Sequence, residues 1–121
     1  MTKKIITLIL FLVLTITAIS SLSCIRTGVL VHIQNKSNSE LKNIVIEFTG
    51  GKEILLKLQP SEELTRKIKP IGESSLTITY SSGKNNYESK SDTYIEPSSK
   101  GHLYIIIEDE GKVVVLSEIG L

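Results

Sequence analysis

Two histidines, one cysteine and a run of three acids carry most of the reactive chemistry in this sequence. His32 and His102 are the only histidines, and Cys24 is the only cysteine. Zinc or copper needs more ligands than two dispersed imidazoles supply, unless carboxylates join them. No metal and no cofactor is therefore expected. Glu108-Asp109-Glu110 is acidic enough to suggest calcium. It lacks the spaced oxygen ligands and terminal bidentate Glu of a loop site, so a solvated hairpin tip is expected. Nucleophilic catalysis needs a hydroxyl or thiol beside a base that a third group orients. The chain has many serines, but nothing in its spacing sets one beside His32 or His102. Gly50-Gly51 is not a phosphate loop, because no helix follows to present its N-terminus. No catalytic constellation is legible, and the expectation is that the protein is not an enzyme.

Cys24 belongs to the segment before it. Lys3 and Lys4 open the chain, and residues 5–19 run without a charge. Ser20-Ser21-Leu22-Ser23 then leads to Cys24. A basic start, an apolar run and small residues at a cleavage point make an export signal. The end of it, Ser21-Leu22-Ser23-Cys24, resembles the lipobox of bacterial lipoproteins. That resemblance implies a diacylglycerol on the Cys24 thiol and cleavage just before it. The family usually has Leu three places before the Cys, where this chain has Ser21 and carries Leu22 one place later. Two other readings stay open: an uncleaved signal anchor, long enough to span a bilayer, and a plain secretory signal that leaves Cys24 an unpaired thiol. The lipobox reading divides the chain into a signal peptide at 1–23, formed as a helix, a lipidated tether at 24–27 and a folded domain at 28–121. It puts the protein in the cell envelope, held to a membrane by lipid on Cys24. In a Gram-negative host Ile25, in place of the Asp that marks inner-membrane retention, directs it to the outer membrane. The three residues between Cys24 and Gly28 reach about 10 Å, so the domain sits against its membrane.

Without residues 1–23 the chain has 98 residues, with 12 basic and 13 acidic side chains once Lys3 and Lys4 are gone. That length makes one small domain that can fold without disulfides. Near-neutral charge gives no electrostatic case for nucleic acid or for an anionic lipid surface.

The domain reads as strands throughout. Val29, Val31 and Ile33 alternate with Leu30, His32 and Gln34, the period of two that marks a strand. Asn35-Lys36-Ser37-Asn38-Ser39 is turn chemistry. Ile44, Ile46 and Phe48 mark a second strand; Ile54, Leu56 and Leu58 mark a third. A three-residue loop over 50–52 pairs Phe48 with Ile54 and Ile46 with Leu56, so a longer loop or a bulge is expected there. Residues 64–69 are a weaker strand, with Leu64 and Ile68 inward. Leu76, Ile78 and Tyr80 mark a strong one. Residues 87–96 are mostly polar and suit a sheet edge. Leu103, Ile105 and Ile107 face Val113 and Val115 across Asp109-Glu110-Gly111. That loop needs Gly111 left-handed and sets Glu108 opposite Lys112. The other face of this hairpin, Tyr104, Ile106, Val114 and Leu116, is apolar too, as in a central hairpin or an interface. Seven or eight short strands make a small antiparallel β-sandwich, similar to immunoglobulin-like domains but without their Cys and Trp markers.

Strands that run the length of a sandwich and reverse at each turn put alternate turns at opposite ends. Turns at 36–40, 60–63, 81–86 and 109–112 then lie far from the lipid. They carry three bases, Lys36, Lys84 and Lys112, against five acids, Glu40, Glu62, Glu63, Asp109 and Glu110. Loops on a rigid scaffold are where sandwiches carry recognition. The function expected is that of a protein-binding module, an accessory subunit, inhibitor or immunity-type factor. Glu62, Glu63, Asp109 and Glu110 supply a mildly acidic docking surface for another envelope protein. The rival is a passive or structural lipoprotein, or one that captures a small hydrophobic molecule between its sheets. Such capture needs small inward residues, whereas Ile, Leu, Val and Phe occupy those places here.

Overall fold

The computed structural model of the chain describes residues 28–120. Residues 1–27, on which the expected signal peptide, Cys24 and the whole expected tether fall, lie outside the described residues, as does Leu121. The rest is a β-sandwich of two four-stranded sheets. The eight strands are β1 (Gly28–Asn35), β2 (Leu41–Phe48), β3 (Gly51–Leu58), β4 (Glu63–Ile68), β5 (Ser74–Ser82), β6 (Asn85–Ile95), β7 (Lys100–Ile107) and β8 (Val113–Gly120). One sheet runs β4-β1-β7-β8 and the other β3-β2-β5-β6. Every pair is antiparallel except β1 with β7, which is parallel. The single parallel pair follows from strict reversal at every turn, because first and seventh strands then point the same way. The mostly polar strand β6 is an edge, as its charges predict, and it sends Ile95 into the core.

The core is the inward half of the alternation. Val29, Val31 and Ile33 of β1 meet Leu103, Ile105 and Ile107 of β7, all fully buried. From the other sheet come Ile44, Ile46, Leu76 and Ile78, also fully buried. At about 25 cal/mol per Å² of apolar surface, this burial drives the folding of a chain with no cross-link.

The β2–β3 hairpin departs from the expected loop. Phe48 pairs with Gly51 across a two-residue turn, Thr49-Gly50. Gly50 takes φ +98°, and a Cβ there would lie 2.5 Å from the Ile71 side chain. The segment after β4 fixes this turn: Ile71 N–H donates to Thr49 O at 3.1 Å, and Thr49 N–H donates to Ser74 Oγ at 2.8 Å. The resulting register sets Ile44 beside Leu55 and Leu41 beside Leu58. Asn43, at φ +50°, sits where the β2–β5 register slips, and this bulge lets Leu41 and Ile44 both face inward. Ile54 and Leu56, expected inside, are 51% and 73% exposed.

The β7–β8 hairpin forms as expected. Ile107 pairs with Val113 and Ile105 with Val115. The loop Asp109–Gly111 is a 3-10 turn with Gly111 at φ +76°. Lys112 Nζ lies 3.1 Å from Glu108 Oε2.

Candidate partner-binding surface

The loops of the far end are joined to one another. Asn35 closes β1, fully buried, and its amide works as a hub. Nδ2 donates to Ser39 O and to Leu58 O, each at 2.9 Å. Oδ1 accepts from Ser37 N–H at 2.9 Å and from Ser37 Oγ at 2.6 Å. The Asn side chain bonding the amide two residues on is the reason this residue type suits such a turn. Asn35 N–H donates to Glu62 O, and Ser61 N–H donates to Asn35 O, which ties in the β3–β4 loop. Lys36 N–H donates to Ile107 O, and the Asp109 carboxylate accepts from Asn38 N–H at 2.9 Å and from Asn38 Nδ2 at 3.2 Å. Three of the four far loops are thus held together by hydrogen bonds.

A cavity of about 400 Å³ opens between these loops and the β5–β6 turn, with Ser37, Ser82, Asn85, Tyr87 and Glu110 on its walls. Tyr80 lines it as well, stacked at a tilt against Tyr87 with ring centres 5.3 Å apart. Burial, and then the neighbouring Tyr87, push the Tyr80 hydroxyl above the usual tyrosine range. Its oxygen is buried with no hydrogen-bond partner among the described residues.

The four acids do not form one patch. Glu62 is exposed on the β3–β4 loop. Glu63 opens β4, with its carboxylate 3.7 Å from His32 Nδ1, on the outer face of the β4-β1-β7-β8 sheet. Asp109 and Glu110 stand at the cavity; Asp109 is committed to Asn38, whereas Glu110 is exposed at φ +60°. Cys24 lies outside the described residues.

The outer face of that sheet gathers side chains the sequence reading kept apart. His32 Nε2 lies 2.8 Å from His102 Nδ1, so one nitrogen donates and the other accepts. Thr65 Oγ1 is 3.0 Å from His32 Nδ1. Tyr104 stacks on His32 at 4.8 Å and 13°. A hydroxyl therefore does lie beside a histidine, contrary to the expectation from spacing. Strand parity set both histidines on outer faces, but the contact depends on β1 lying next to β7, which periodicity cannot supply. An imidazole beside a threonine is half of a nucleophile–base pair. The histidines stand on the interior strands β1 and β7, and Thr65 stands on the edge strand β4. Among the described residues no group of three or more His, Cys, Asp or Glu is placed to hold a metal ion. Beside the histidines is a cavity of about 260 Å³, with Ile106, Leu116 and Glu118 on its walls. Leu116 is 53% exposed.

No protein-family model matches the sequence, and no curated protein matches it. A protein from Eubacterium rectale, with a structure determined by NMR, is similar in fold, with a TM-score of 0.54 and 13% identity. The match covers 78% of this chain and 92% of that one. At this identity the likeness shows the fold alone. Among the described residues no helix is long and apolar enough to cross a membrane.

Proposed function

We propose that this chain is a lipid-anchored protein of the bacterial cell envelope that works as a protein-binding module. The observation that carries the reading is the tying of three far loops into one unit by Asn35 and Asp109. Loops held in one arrangement lose little entropy on binding, which is what a recognition surface needs. A core filled by Ile, Leu and Val favours this reading over capture of a hydrophobic molecule between the sheets. The anchor reading rests on the sequence before Gly28, where the lipobox-like Ser21-Leu22-Ser23-Cys24 stands.

Two experiments test the two halves. Cys24→Ser replaces the thiol that accepts lipid with a hydroxyl. Cells fed a fatty-acid analogue are expected to label the wild type and not the variant, and the variant stays uncleaved; equal label in both ends the lipoprotein reading. Crosslinking of intact cells then asks for a partner. Recovery of the bare monomer under several growth conditions ends the binding reading.

A further inference from the structure

The four edge strands of the sandwich are not alike. Edges with unpaired backbone groups invite pairing with other chains, and charged side chains are the usual protection. Strand β3 carries Lys52, Glu53 and Lys57; β4 carries Glu63, Arg66 and Lys67; β6 carries Glu88, Lys90 and Asp92. Strand β8 reads Val-Val-Val-Leu-Ser-Glu-Ile-Gly, and Glu118 is its single charge. It is eight residues long and pairs only with β7.

We propose that the outer edge of β8 is a docking strand, which takes one extended segment of a partner protein as an added fifth strand of the sheet. The inference rests on the protein-binding reading and moves the contact from the loops to the edge. The backbone direction supports it. Glu108 N–H donates to Lys112 O at 2.8 Å, which makes this the bonded pair that closes the hairpin. Antiparallel partners alternate between bonded and non-bonded pairs. In the β7–β8 register, Val114, Leu116 and Glu118 are then the bonded residues, and Val113, Val115 and Ser117 turn N–H and C=O away from β7. Leu116, Ser117 and Glu118 are exposed, so this stretch of the edge is open.

The edge also selects its occupant. A second copy of the chain joined β8 to β8 would bring two β6 strands toward each other, because β6 is the edge of the other sheet on the same side. That approach would strip water from Glu88, Lys90 and Asp92 of both copies. A single strand brings no second β6 with it. Its backbone supplies the affinity and its alternate side chains the specificity. Apolar side chains fit beside Val114 and Leu116 on the outer face, and a lysine or arginine fits beside Glu118.

The test uses the full chain in detergent micelles, isotopically labelled, with a capped synthetic octapeptide of alternating valine and threonine that carries one lysine. Amide exchange is expected to slow at least tenfold at Val113, Val115 and Ser117 when peptide is added, and to stay unchanged at Val114, Leu116 and Glu118. Ser117→Pro removes one outward donor without touching the β7 ladder, and is expected to abolish the slowing. If that variant misfolds, the pair Val114→Lys and Leu116→Lys guards the edge by charge and gives the same result. No slowing, equal slowing at the β3, β4 and β6 edges, or slowing before peptide is added together with a dimer mass would each overturn the proposal. Photo-crosslinkers at positions 62, 110 and 117 in intact cells separate the two readings. Adducts from 62 and 110 but not 117 sink the docking strand alone; none at any position sinks the binding module as well.

Discussion

Asn35 is fully buried, and its amide makes four hydrogen bonds. Asn35→Ala would leave Leu58 O, Ser39 O and the Ser37 amide without that partner, and buried groups left unpaired are costly. The expected loss is about 2–4 kcal/mol, read from chemical denaturation. Stability within experimental error of the wild type would show that water replaces the amide at no cost. Tyr80 is the opposite case, because its buried hydroxyl has no partner among the described residues. Tyr80→Phe removes an unsatisfied group and keeps the ring against Tyr87. The expected change is between neutral and about 1 kcal/mol of added stability; a clear loss would mean the hydroxyl is satisfied in solution. Asn35 was legible in the sequence as turn chemistry, since Asn followed by Ser two places on is a local signal. The His32–His102 contact was not, because it joins residues 70 positions apart.

At the scale of elements, strands with one buried face were the legible ones. The alternation in β1, β5 and β7 located the inward residues correctly. Strand β3 misled, because Ile54 and Leu56 alternate with the wrong parity, and the register is fixed by a turn that residues 71–74 clamp from outside the hairpin. A local pattern cannot carry that information. Strand β6 ends its sheet. It pairs only with β5, and exposed residues recur along it. Its outward amides face solvent, so local opening should expose it before the interior strands. Hydrogen exchange is expected to be fastest in β6 and slowest over residues 103–107 of β7, which lies between β1 and β8. Slower exchange in β6 than in β7 would contradict the order.

For the molecule as a whole, the pairings within each sheet are those of strands that reverse direction at every turn. Gly28 starts β1 at one end, and the turns after β1, β3, β5 and β7 share the other. A lipid on Cys24 would hold the first end to a membrane and turn the second away from it. Sequence parity and turn positions were enough to reach this arrangement; which turns touch was not, because those bonds run between loops distant in the chain. Asp109 accepts two hydrogen bonds from Asn38, so its reversal would alter the fold as well as the charge. Glu62, Glu63 and Glu110 are exposed, and the Glu63 carboxylate lies 3.7 Å from His32 Nδ1. Reversing these three to lysine is expected to shift stability by no more than about 0.5 kcal/mol per site. Asp109→Lys is expected to lower it by about 1–3 kcal/mol through the lost bonds to Asn38. If a basic partner docks on the far end, the triple reversal weakens capture and makes what remains less sensitive to salt. Calorimetric melting beside partner capture at low and high salt separates the effects. Capture that survives the triple reversal, yet fails when Leu116 and Ser117 are changed, would assign the contact to the β8 edge. Capture lost with Asp109→Lys alone would report the loosened loop unit and not the charge.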